Sequence, residues 1–469
     1  MPDRRRYQHR ANCSKWATAR RRCRLEFLER RDLLSGQTPL ITDATPYSAA
    51  FAEAVFRDAL GRTADASGLA WFVQQLDSGL YPQQLAMAAV HSDEYMADTV
   101  QSAYQQSLER AAEPGAINYW SNTLNGGLRE EQLQAALVAS DEFYARAGGN
   151  DTAWVSAAYQ TLLGRAPEAS AVDWATRQLA LGASRGNLAL TLAFSSEAER
   201  RFADGAYARY FHVSPNSSAL DLWTAQLIDG QVTRQLFAGE LMSTEAYYEE
   251  QTGVPQSVVP VPVPVGFWAS RDREIEAAAA RGTAQVAFFG DSLTEHWQDV
   301  GQAVWNESYA GLNALNAGIA ADKTQNVLYR IENGDLNGLN PKVVVVMAGV
   351  NNLIFGDTPQ EAADGVSAVV EALRQRLPDA KILVLGILPA AMEGAEDNLM
   401  ATISATNQMI AGLADEEHVF FLNMWSAFTY ADGGFDPTLP TSDGLHLNQQ
   451  GYVVWRQTMA PELDYLLAS

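Results

Sequence analysis

From residue 266 onward, short apolar runs alternate with stretches of helical periodicity. Helical stretches such as 358–377 and 399–416 separate apolar runs that have the length of buried strands: 285–289, 314–318, 342–347, 381–385 and 419–423. Strands that are apolar on both faces and alternate with helices are typical of a parallel sheet covered on both sides. We therefore expect an α/β domain over residues 266–469, with its active site at the carboxyl ends of the strands.

Residues 45–252 show a different pattern, in which three kinds of marker residue recur in register. An aromatic residue or leucine opens a W-x-x-x-x-L-like stretch, a glycine closes it, and an acidic residue follows in an S-x-E-like element. The markers step by 48, 55 and 48 residues, at Trp71, Tyr119, Trp174 and Leu222, at Gly79, Gly127, Gly182 and Gly230, and at Glu94, Glu142, Glu197 and Glu245. Independent drift would not keep three markers in register, so the sequence predicts four copies of a helix–turn–helix unit, each closing glycine being a left-handed C-cap.

The repeats resemble a family of extracellular bacterial repeat modules of unknown function, with the consensus L-G-R…G-L…W…L…G…S-x-E. L-G-R occurs at 60–62 and 163–165, whereas the fourth copy has Phe211-His212-Val213 at that position. A lone aromatic residue at a fixed repeat position usually packs inside its own repeat, and this is what we expect of the tryptophan markers. Stacking on sugars is the alternative.

A proline-rich segment separates the two halves. Residues 258–266 read V-V-P-V-P-V-P-V-G, and alternating proline forbids a helix and favours extended polyproline II. Three prolines that cannot donate ladder hydrogen bonds argue against an edge strand. We therefore interpret residues 253–265 as a semi-rigid spacer and a domain boundary.

Composition and charge exclude several classes of protein. At 47% hydrophobic and 19% charged residues, the chain can bury more than one core. Residues 1–36 carry eleven basic and four acidic side chains, and the other 433 residues carry 22 and 52, so the acidic body disfavours nucleic acid as a partner. No apolar run approaches the roughly 18 residues of a membrane helix, and no transmembrane segment is expected. Both cysteines, Cys13 and Cys23, lie in the basic leader, which leaves the body without a disulfide framework, a cysteine nucleophile or a cysteine-ligated zinc site.

The leader, residues 1–36, lacks the apolar stretch of an ordinary secretory signal. Its end resembles the arginine-rich leader, closing in R-x-L-L-S, of extracellular proteins from planctomycete-type bacteria, with Asp32 inserted between Arg31 and Leu33. The resemblance implies export and an extracellular or cell-surface location. A short basic, frayed N-terminus is the alternative.

Three groups of polar residues follow predicted strands or lie near the C-terminus. G-D-S-L at 290–293 places Ser292 at a strand-to-helix turn, where a helix N-terminus favours developing negative charge, although Asp291 or Ser292 could simply be an N-cap. Asn351, after the third strand, is an oxyanion donor or a turn residue. His446 follows Asp443 by three residues, so one loop can supply both an imidazole and the carboxylate that orients it. His296, four residues after Ser292, is expected on the helix surface.

Together, these motifs resemble the SGNH (GDSL-type) esterase family over about residues 267–469. The similarity is greatest to the branch of platelet-activating-factor acetylhydrolase catalytic subunits and related bacterial acylesterases, through the blocks at 315–325, 328–334 and 341–352. The resemblance implies a flavodoxin-like three-layer sandwich with a five-stranded parallel sheet. It also implies that no metal or cofactor takes part.

The same resemblance implies the site residues. Ser292 is the nucleophile, His446 the general base and then acid, and Asp443 the residue that orients His446. The oxyanion hole consists of the Ser292 N–H, the Ala321 N–H and the Asn351 side chain. Ala321 stands where the family usually has glycine, so a loop that needs positive φ there would be strained and the third oxyanion contact weakened.

The sequence thus favours a secreted serine esterase that hydrolyses short-chain, acetyl esters, on carbohydrate such as an acetylated polysaccharide. The repeats could attach it to a surface or polymer. A lipase or lysophospholipase of the same fold is one alternative, and a non-catalytic surface adhesion protein is another.

Overall fold

The chain folds into an all-α N-terminal region followed by an α/β domain. The computed structural model describes residues 44–263, 266–392, 398–430 and 434–469. The basic leader, 1–36, lies outside the described residues. No helix in these ranges combines the length and the hydropathy that crossing a bilayer requires.

Short helices build the N-terminal region. In chain order they are α1 (Thr45–Leu60), α2 (Ala66–Asp77), α3 (Pro82–Val90), α4 (Asp93–Leu108), α5 (Pro114–Asn125), α6 (Glu130–Val138), α7 (Asp141–Arg146), α8 (Asp151–Leu163), α9 (Ala169–Ala180), α10 (Arg185–Ala193), α11 (Ser196–Phe211), α12 (Ser217–Ile228), α13 (Arg234–Met242) and α14 (Glu245–Thr252). The helices α1, α4, α8 and α11 each end at a residue in the left-handed conformation, with φ between 50° and 70°, namely Gly61, Glu109, Gly164 and His212. The four glycines that close the W-x-x-x-x-L-like stretches also have positive φ.

One ion pair recurs in the first three units. The arginine after each left-handed residue binds both carboxylate oxygens of a glutamate 32 residues later, pairing Arg62 with Glu94, Arg110 with Glu142, and Arg165 with Glu197. The L-G-R and S-x-E markers are therefore the two halves of one contact. In the fourth unit Val213 replaces the arginine, and Glu245 accepts a hydrogen bond from the Gln256 backbone N–H instead.

The aromatic markers do not fill the cores of their units. Trp71, Tyr119 and Trp174 are 53%, 62% and 52% exposed. The residue after each marker packs inward instead, and in the four units it is Phe72, Trp120, Ala175 and Trp223. The expectation that the tryptophan markers pack inside their repeats is therefore wrong, because consecutive helical residues point about 100° apart and only one of each pair can face the core.

The C-terminal domain contains a five-stranded, all-parallel sheet. The strands are β1 (Val286–Gly290), β2 (Leu315–Gly318), β3 (Val343–Met347), β4 (Lys381–Leu385) and β5 (Val419–Leu422), in the order β2-β1-β3-β4-β5. Its helices are α15 (Gly266–Ala279), α16 (Ser292–Glu295), α17 (Gln302–Ser308), α18 (Thr324–Asn333), α19 (Val350–Ile354), α20 (Pro359–Arg376), α21 (Leu399–Ile410), α22 (Trp425–Phe428) and α23 (Gln449–Ala468). This strand order confirms the flavodoxin-like prediction.

Alternate residues of each strand enter different cores. Phe288 and Val345 face the side covered by α23, whereas Phe289 and Val346 face the side covered by α18 and α20. The core between the sheet and the helices α18 and α20 is continuous with the core of the first and fourth helical units. The sheet is thus buried on both faces, which explains why its strands are apolar without alternation.

The proline-rich segment is packed against the α/β domain. After a single 3₁₀ turn at Gln256–Val258, Val258 and Val259 are buried in the core that the two regions share. The Val261 N–H donates to the Gln325 carbonyl oxygen at 3.1 Å, and the Asn326 side chain donates to the Val261 carbonyl oxygen at 2.8 Å. Valines that alternate with prolines can bury one face of an extended segment. The interpretation as a spacer is therefore wrong for the described residues 253–263, which form a strap along α18.

Candidate active site

Ser292 lies where β1 passes into α16. Asp291 is the N-cap of this helix, since its Oδ1 accepts the Leu293 N–H at 2.9 Å. Burial raises the pKa of Asp291 to about 7. Gly290 allows the turn to pass close to β3, because a Cβ there would lie 2.4 Å from the Met347 carbonyl oxygen. The turn therefore fixes Ser292 at the carboxyl edge of the sheet, as the position of the G-D-S-L motif predicts.

The loop before α23 brings Asp443 and His446 to Ser292. His446 Nε2 lies 2.8 Å from Ser292 Oγ, and His446 Nδ1 lies 2.7 Å from Asp443 Oδ2. Gly444, with φ 73°, allows the loop to turn between the two residues. The structure thus assembles a continuous hydrogen-bonded chain from hydroxyl to imidazole to carboxylate out of residues 154 positions apart.

Asp443 is held as an anion with a fixed orientation. Burial acts to raise its pKa, but hydrogen bonds from the His446 ring, from the Leu445 and His446 N–H groups and from Thr441 outweigh burial and lower it well below the ordinary range. Its Oδ1 accepts Thr441 Oγ1 at 2.8 Å and both N–H groups at 3.0 Å, which leaves Oδ2 directed at Nδ1. A carboxylate in this position selects the tautomer in which Nε2 can accept the serine proton.

The loop after β2 lies beside the turn that carries Ser292, since the Ile319 N–H donates to the Gly290 carbonyl oxygen at 3.2 Å. Ala321 adopts the left-handed conformation, with φ 67°. Neither its N–H nor that of Ser292 donates to a residue that the structure describes. The expectation that this loop needs positive φ at position 321 is therefore confirmed. Alanine adopts this conformation at a cost of about 1–2 kcal/mol relative to glycine.

The Asn351 side chain contacts the loop that carries Ala321. It is the second residue of α19, which follows β3 through Gly349, a left-handed residue with φ 113°. One Asn351 Nδ2 hydrogen bond goes to the Asp322 carbonyl oxygen at 2.8 Å. An amide has two N–H donors, and this bond uses one of them. Within the described part of the chain, the other N–H has no recorded acceptor.

A buried network of charged side chains anchors the loop that carries Ala321. The sequence analysis did not identify this network. Asp322 accepts the Trp268 Nε1–H at 2.6 Å and the Arg330 Nε–H at 2.9 Å, and Arg330 also binds Asp335. All three charged side chains are inaccessible to solvent. Burial raises the pKa of Asp322 to about 6, against the opposing effect of Arg330. In the sequence these three residues lie among other charged residues, Lys323 and Glu332, so no local pattern marks them as buried.

Asn352 and His296 are further residues with roles that sequence reasoning missed. Asn352 is fully buried and binds the Thr324 N–H and Oγ1, so it joins α19 to the first residue of α18. The His296 ring lies 5.0 Å from the His446 ring, centroid to centroid. His296 is half-buried rather than on the helix surface, so that expectation is wrong.

Among the described residues, no three His, Cys, Asp or Glu side chains are grouped to hold a metal ion.

Comparison with known families divides the chain in two. The model of the GDSL-like Lipase/Acylhydrolase family matches residues 288–454. A domain of unknown function, DUF4214, matches 42–99, 95–146 and 134–202, which covers three of the four helical units.

Known relatives match the C-terminal domain. The human platelet-activating factor acetylhydrolase IB subunit alpha1 is 35% identical over 189 residues, which are 40% of this chain and 78% of that protein. The rat subunit alpha2 is 35% identical over 187 residues, 39% of this chain and 78% of that protein. A GDSL-like lipase structure from Bacteroides thetaiotaomicron aligns with 42% of this chain and 98% of its own, at 19% identity and a TM-score of 0.36. The chain belongs to the GDSL-like lipase/acylhydrolase family and is a carboxylic ester hydrolase.

Proposed function

We propose that the protein is a serine esterase that removes short acyl groups, acetyl groups foremost, from carbohydrate outside the cell. The observation that carries this proposal is the chain of two hydrogen bonds, 2.8 Å and 2.7 Å long, that joins Ser292 through His446 to Asp443. Such a chain activates a hydroxyl that is otherwise a weak nucleophile at neutral pH.

Acylation begins when Ser292 Oγ attacks the ester carbonyl carbon. His446 Nε2 takes the serine proton as the new C–O bond forms, and Asp443 stabilises the imidazolium. The carbonyl oxygen becomes an oxyanion, which accepts hydrogen bonds from the N–H groups of Ser292 and Ala321 and from the free N–H of Asn351. Collapse of this intermediate breaks the bond to the alcohol, whose oxygen receives the proton from His446 Nε2.

Deacylation repeats these steps with water in place of the alcohol. His446 Nε2 removes a proton from water, the hydroxide oxygen bonds to the acyl carbon, and the same donors hold the second oxyanion. The bond to Ser292 Oγ then breaks and the serine recovers its proton from His446. The products are one carboxylic acid and one alcohol, and no redox change takes place.

Two observations support the finer assignment. The relatives at 35% identity are named as acetylhydrolases, which favours a short acyl group. The leader, residues 1–36, resembles export leaders of extracellular bacterial proteins, which favours a location where polymeric carbohydrate is accessible. An acidic body, with 22 basic and 52 acidic residues after position 36, is compatible with a neutral substrate.

The test is a substrate profile of the wild type and Ser292→Ala. Both are assayed on p-nitrophenyl esters from acetyl to octanoyl and on acetylated xylan, with circular dichroism as the check on folding. We expect turnover that falls with acyl length, release of acetate from the xylan, and loss of both in Ser292→Ala. A maximum at octanoyl with no release of acetate would replace the carbohydrate assignment with a lipase, and a folded wild type without any turnover would contradict the proposal.

A further inference from the structure

Three aromatic side chains stand exposed at equivalent positions of the helical repeat. Trp71 on α2, Tyr119 on α5 and Trp174 on α9 are each more than half exposed, and we refer to them as the exposed aromatic set. The steps between them, 48 and 55 residues, are the steps of the repeat itself. An isolated exposed aromatic residue needs no explanation, but the same exposure in three copies indicates a shared surface function.

Aromatic neighbours hold two of the three rings, those of Trp71 and Tyr119, in fixed orientations. The Trp71 ring packs edge to face on Phe72, with centroids 4.7 Å apart, and Phe72 packs in the same way on Phe56. Tyr119 packs edge to face on Trp120 at 5.1 Å. Because their partners are anchored in the core, these rings lose little conformational freedom when a ligand covers them.

The immediate surroundings of the rings are polar. One turn after each ring, at position i+3, an exposed side chain can donate hydrogen bonds: Gln74, Asn122 and Arg177. One turn before, at i−4, stand the exposed Ser67, Gly115 and Ser170. An apolar ring face next to hydroxyl, amide and guanidinium groups matches a sugar, which has an apolar C–H face and a rim of hydroxyl groups. A protein interface would place further apolar side chains around the ring.

The negative charge of the repeat region disfavours anionic polysaccharides as ligands. Residues 45–252 carry 25 acidic and 12 basic side chains, so this region repels polyanions and anionic membrane surfaces. One ring on one sugar gives weak binding, whereas three sites on one chain raise the affinity for a polymer without any new contact. These observations together favour a neutral polysaccharide.

We propose that Trp71, Tyr119 and Trp174 form a binding surface for a neutral polysaccharide. The binding surface stands on its own observations, and the proposed function enters only in the claim that the bound polymer also carries the ester substrate. Binding would then keep the α/β domain close to many acyl groups of one chain.

Native affinity electrophoresis of the full chain tests the proposal. The gels contain soluble xylan, glucomannan or laminarin, with alginate as the anionic comparison. We expect at least one neutral polymer to retard the wild type, each single alanine variant of the set to bind about three- to tenfold more weakly, and the triple variant to run as in a gel without polymer. Tyr465→Ala, which removes a 61% exposed aromatic residue from α23, is the matched control and should bind like the wild type.

Hydrolysis of p-nitrophenyl acetate separates this inference from the proposed function, because the triple variant should retain wild-type turnover. Equal retardation of wild type and triple variant, no retardation in any of the three neutral polymers, or retardation by alginate alone would each overturn the binding surface. Self-association of the wild type that the triple variant loses would also overturn it, because the rings would then contact a second copy of this chain.

Discussion

Asn351 Nδ2 donates a hydrogen bond to the backbone carbonyl oxygen of Asp322 at 2.8 Å. This single bond connects the turn after β3 to the loop after β2, so two of the proposed oxyanion donors, the Asn351 side chain and the Ala321 N–H, belong to one rigid unit. The Asp322 side chain accepts hydrogen bonds from Trp268 and Arg330 and so connects this unit to the buried charged network. Donors fixed in this way need no reorganisation when negative charge develops, which is what makes such sites effective.

Replacing Asn351 tests the side-chain donor. Asn351→Ala should lower kcat by about 10²–10³-fold with KM changed only a few-fold, because the donor acts on the charge of the transition state. Asn351→Asp, of the same size, should lose at least as much, since a carboxylate repels the oxyanion. Steady-state kinetics on p-nitrophenyl acetate measures both. A loss confined to KM would assign Asn351 to substrate binding instead.

Ala321→Gly tests the strained position. Glycine adopts φ 67° without a Cβ penalty, so the variant should raise the free energy of unfolding by about 1 kcal/mol. Turnover should remain within about twofold of the wild type, because alanine already holds its N–H in the left-handed geometry that the loop requires. Urea denaturation and kinetics on the same preparations measure the two effects. A large gain in kcat without added stability would show that alanine displaces the donor.

Asn326→Ala tests the connection between the strap and the active site. The Asn326 side chain is fully buried, donates to Val261 at 2.8 Å and accepts the Lys323 N–H at 2.9 Å. Its removal leaves a buried carbonyl and a partly buried N–H unpaired, so we expect a loss of about 2–4 kcal/mol in unfolding free energy and a lower kcat, since the N-terminus of α18 adjoins Ala321.

Asn333→Ala is the control for Asn326→Ala. Asn333 lies on the same helix but is exposed, and the one hydrogen bond of its side chain to a described residue goes to the Tyr329 carbonyl oxygen one turn earlier. The change should shift stability by less than about 0.5 kcal/mol. Equal effects of the two substitutions would contradict the role of the strap.

A buried pair of carboxyl groups joins the helical units. Glu131 and Glu199 are inaccessible to solvent, and each lies within 4 Å of both Arg129 and Arg234. Arg234 Nε binds Glu199 at 3.0 Å, and Arg129 binds Glu131. Burial, and the neighbouring Glu131 in addition, raise the pKa of Glu199 to about 7 against the attraction of Arg234, whereas the pKa of Glu131 is lowered because its attractive contacts with Arg234 and Arg129 outweigh burial.

This pair predicts a pH dependence of stability. The folded chain binds the Glu199 proton more tightly than the unfolded chain, so the wild type loses stability as pH rises from about 4.5 towards about 7. Glu199→Gln has nearly the same size and cannot ionise, so its stability relative to the wild type should increase with pH across that window. Urea midpoints at pH 5 and pH 8 test this. The exposed variant Glu168→Gln should show no such increase, and a flat difference for Glu199→Gln would contradict a raised pKa of Glu199 in the folded chain.

Much of the α/β domain could be predicted from the sequence. The apolar runs locate all five strands to within one residue at each end, because strands buried on both faces are predominantly apolar; Asn316 in β2 and Lys381 at the start of β4 are the exceptions. The motifs at 290–293, 351–352 and 443–446 also locate the residues that the structure brings together. Their place in the chain relative to the strands sufficed, since parallel strands end at the same edge.

Other features depend on tertiary contacts that no local pattern reports. A marker at i and its neighbour at i+1 are equally periodic, so the repeat could not tell the exposed Trp71 from the inward Phe72. The burial of Val258 and Val259 depends on α18 and α20, about 65 to 100 residues later. The proximity of His296 to His446 joins residues that only the fold brings together.

Labelling with a fluorophosphonate tests the central claim, that Ser292 is the nucleophile activated by His446. The intact mass of the wild type should increase by one adduct, and peptide mapping should place the adduct on Ser292. His446→Ala should react far more slowly, and Ser292→Ala, with an unchanged circular dichroism spectrum, should not react. An adduct on another residue, or a folded wild type that remains unlabelled, would contradict the account.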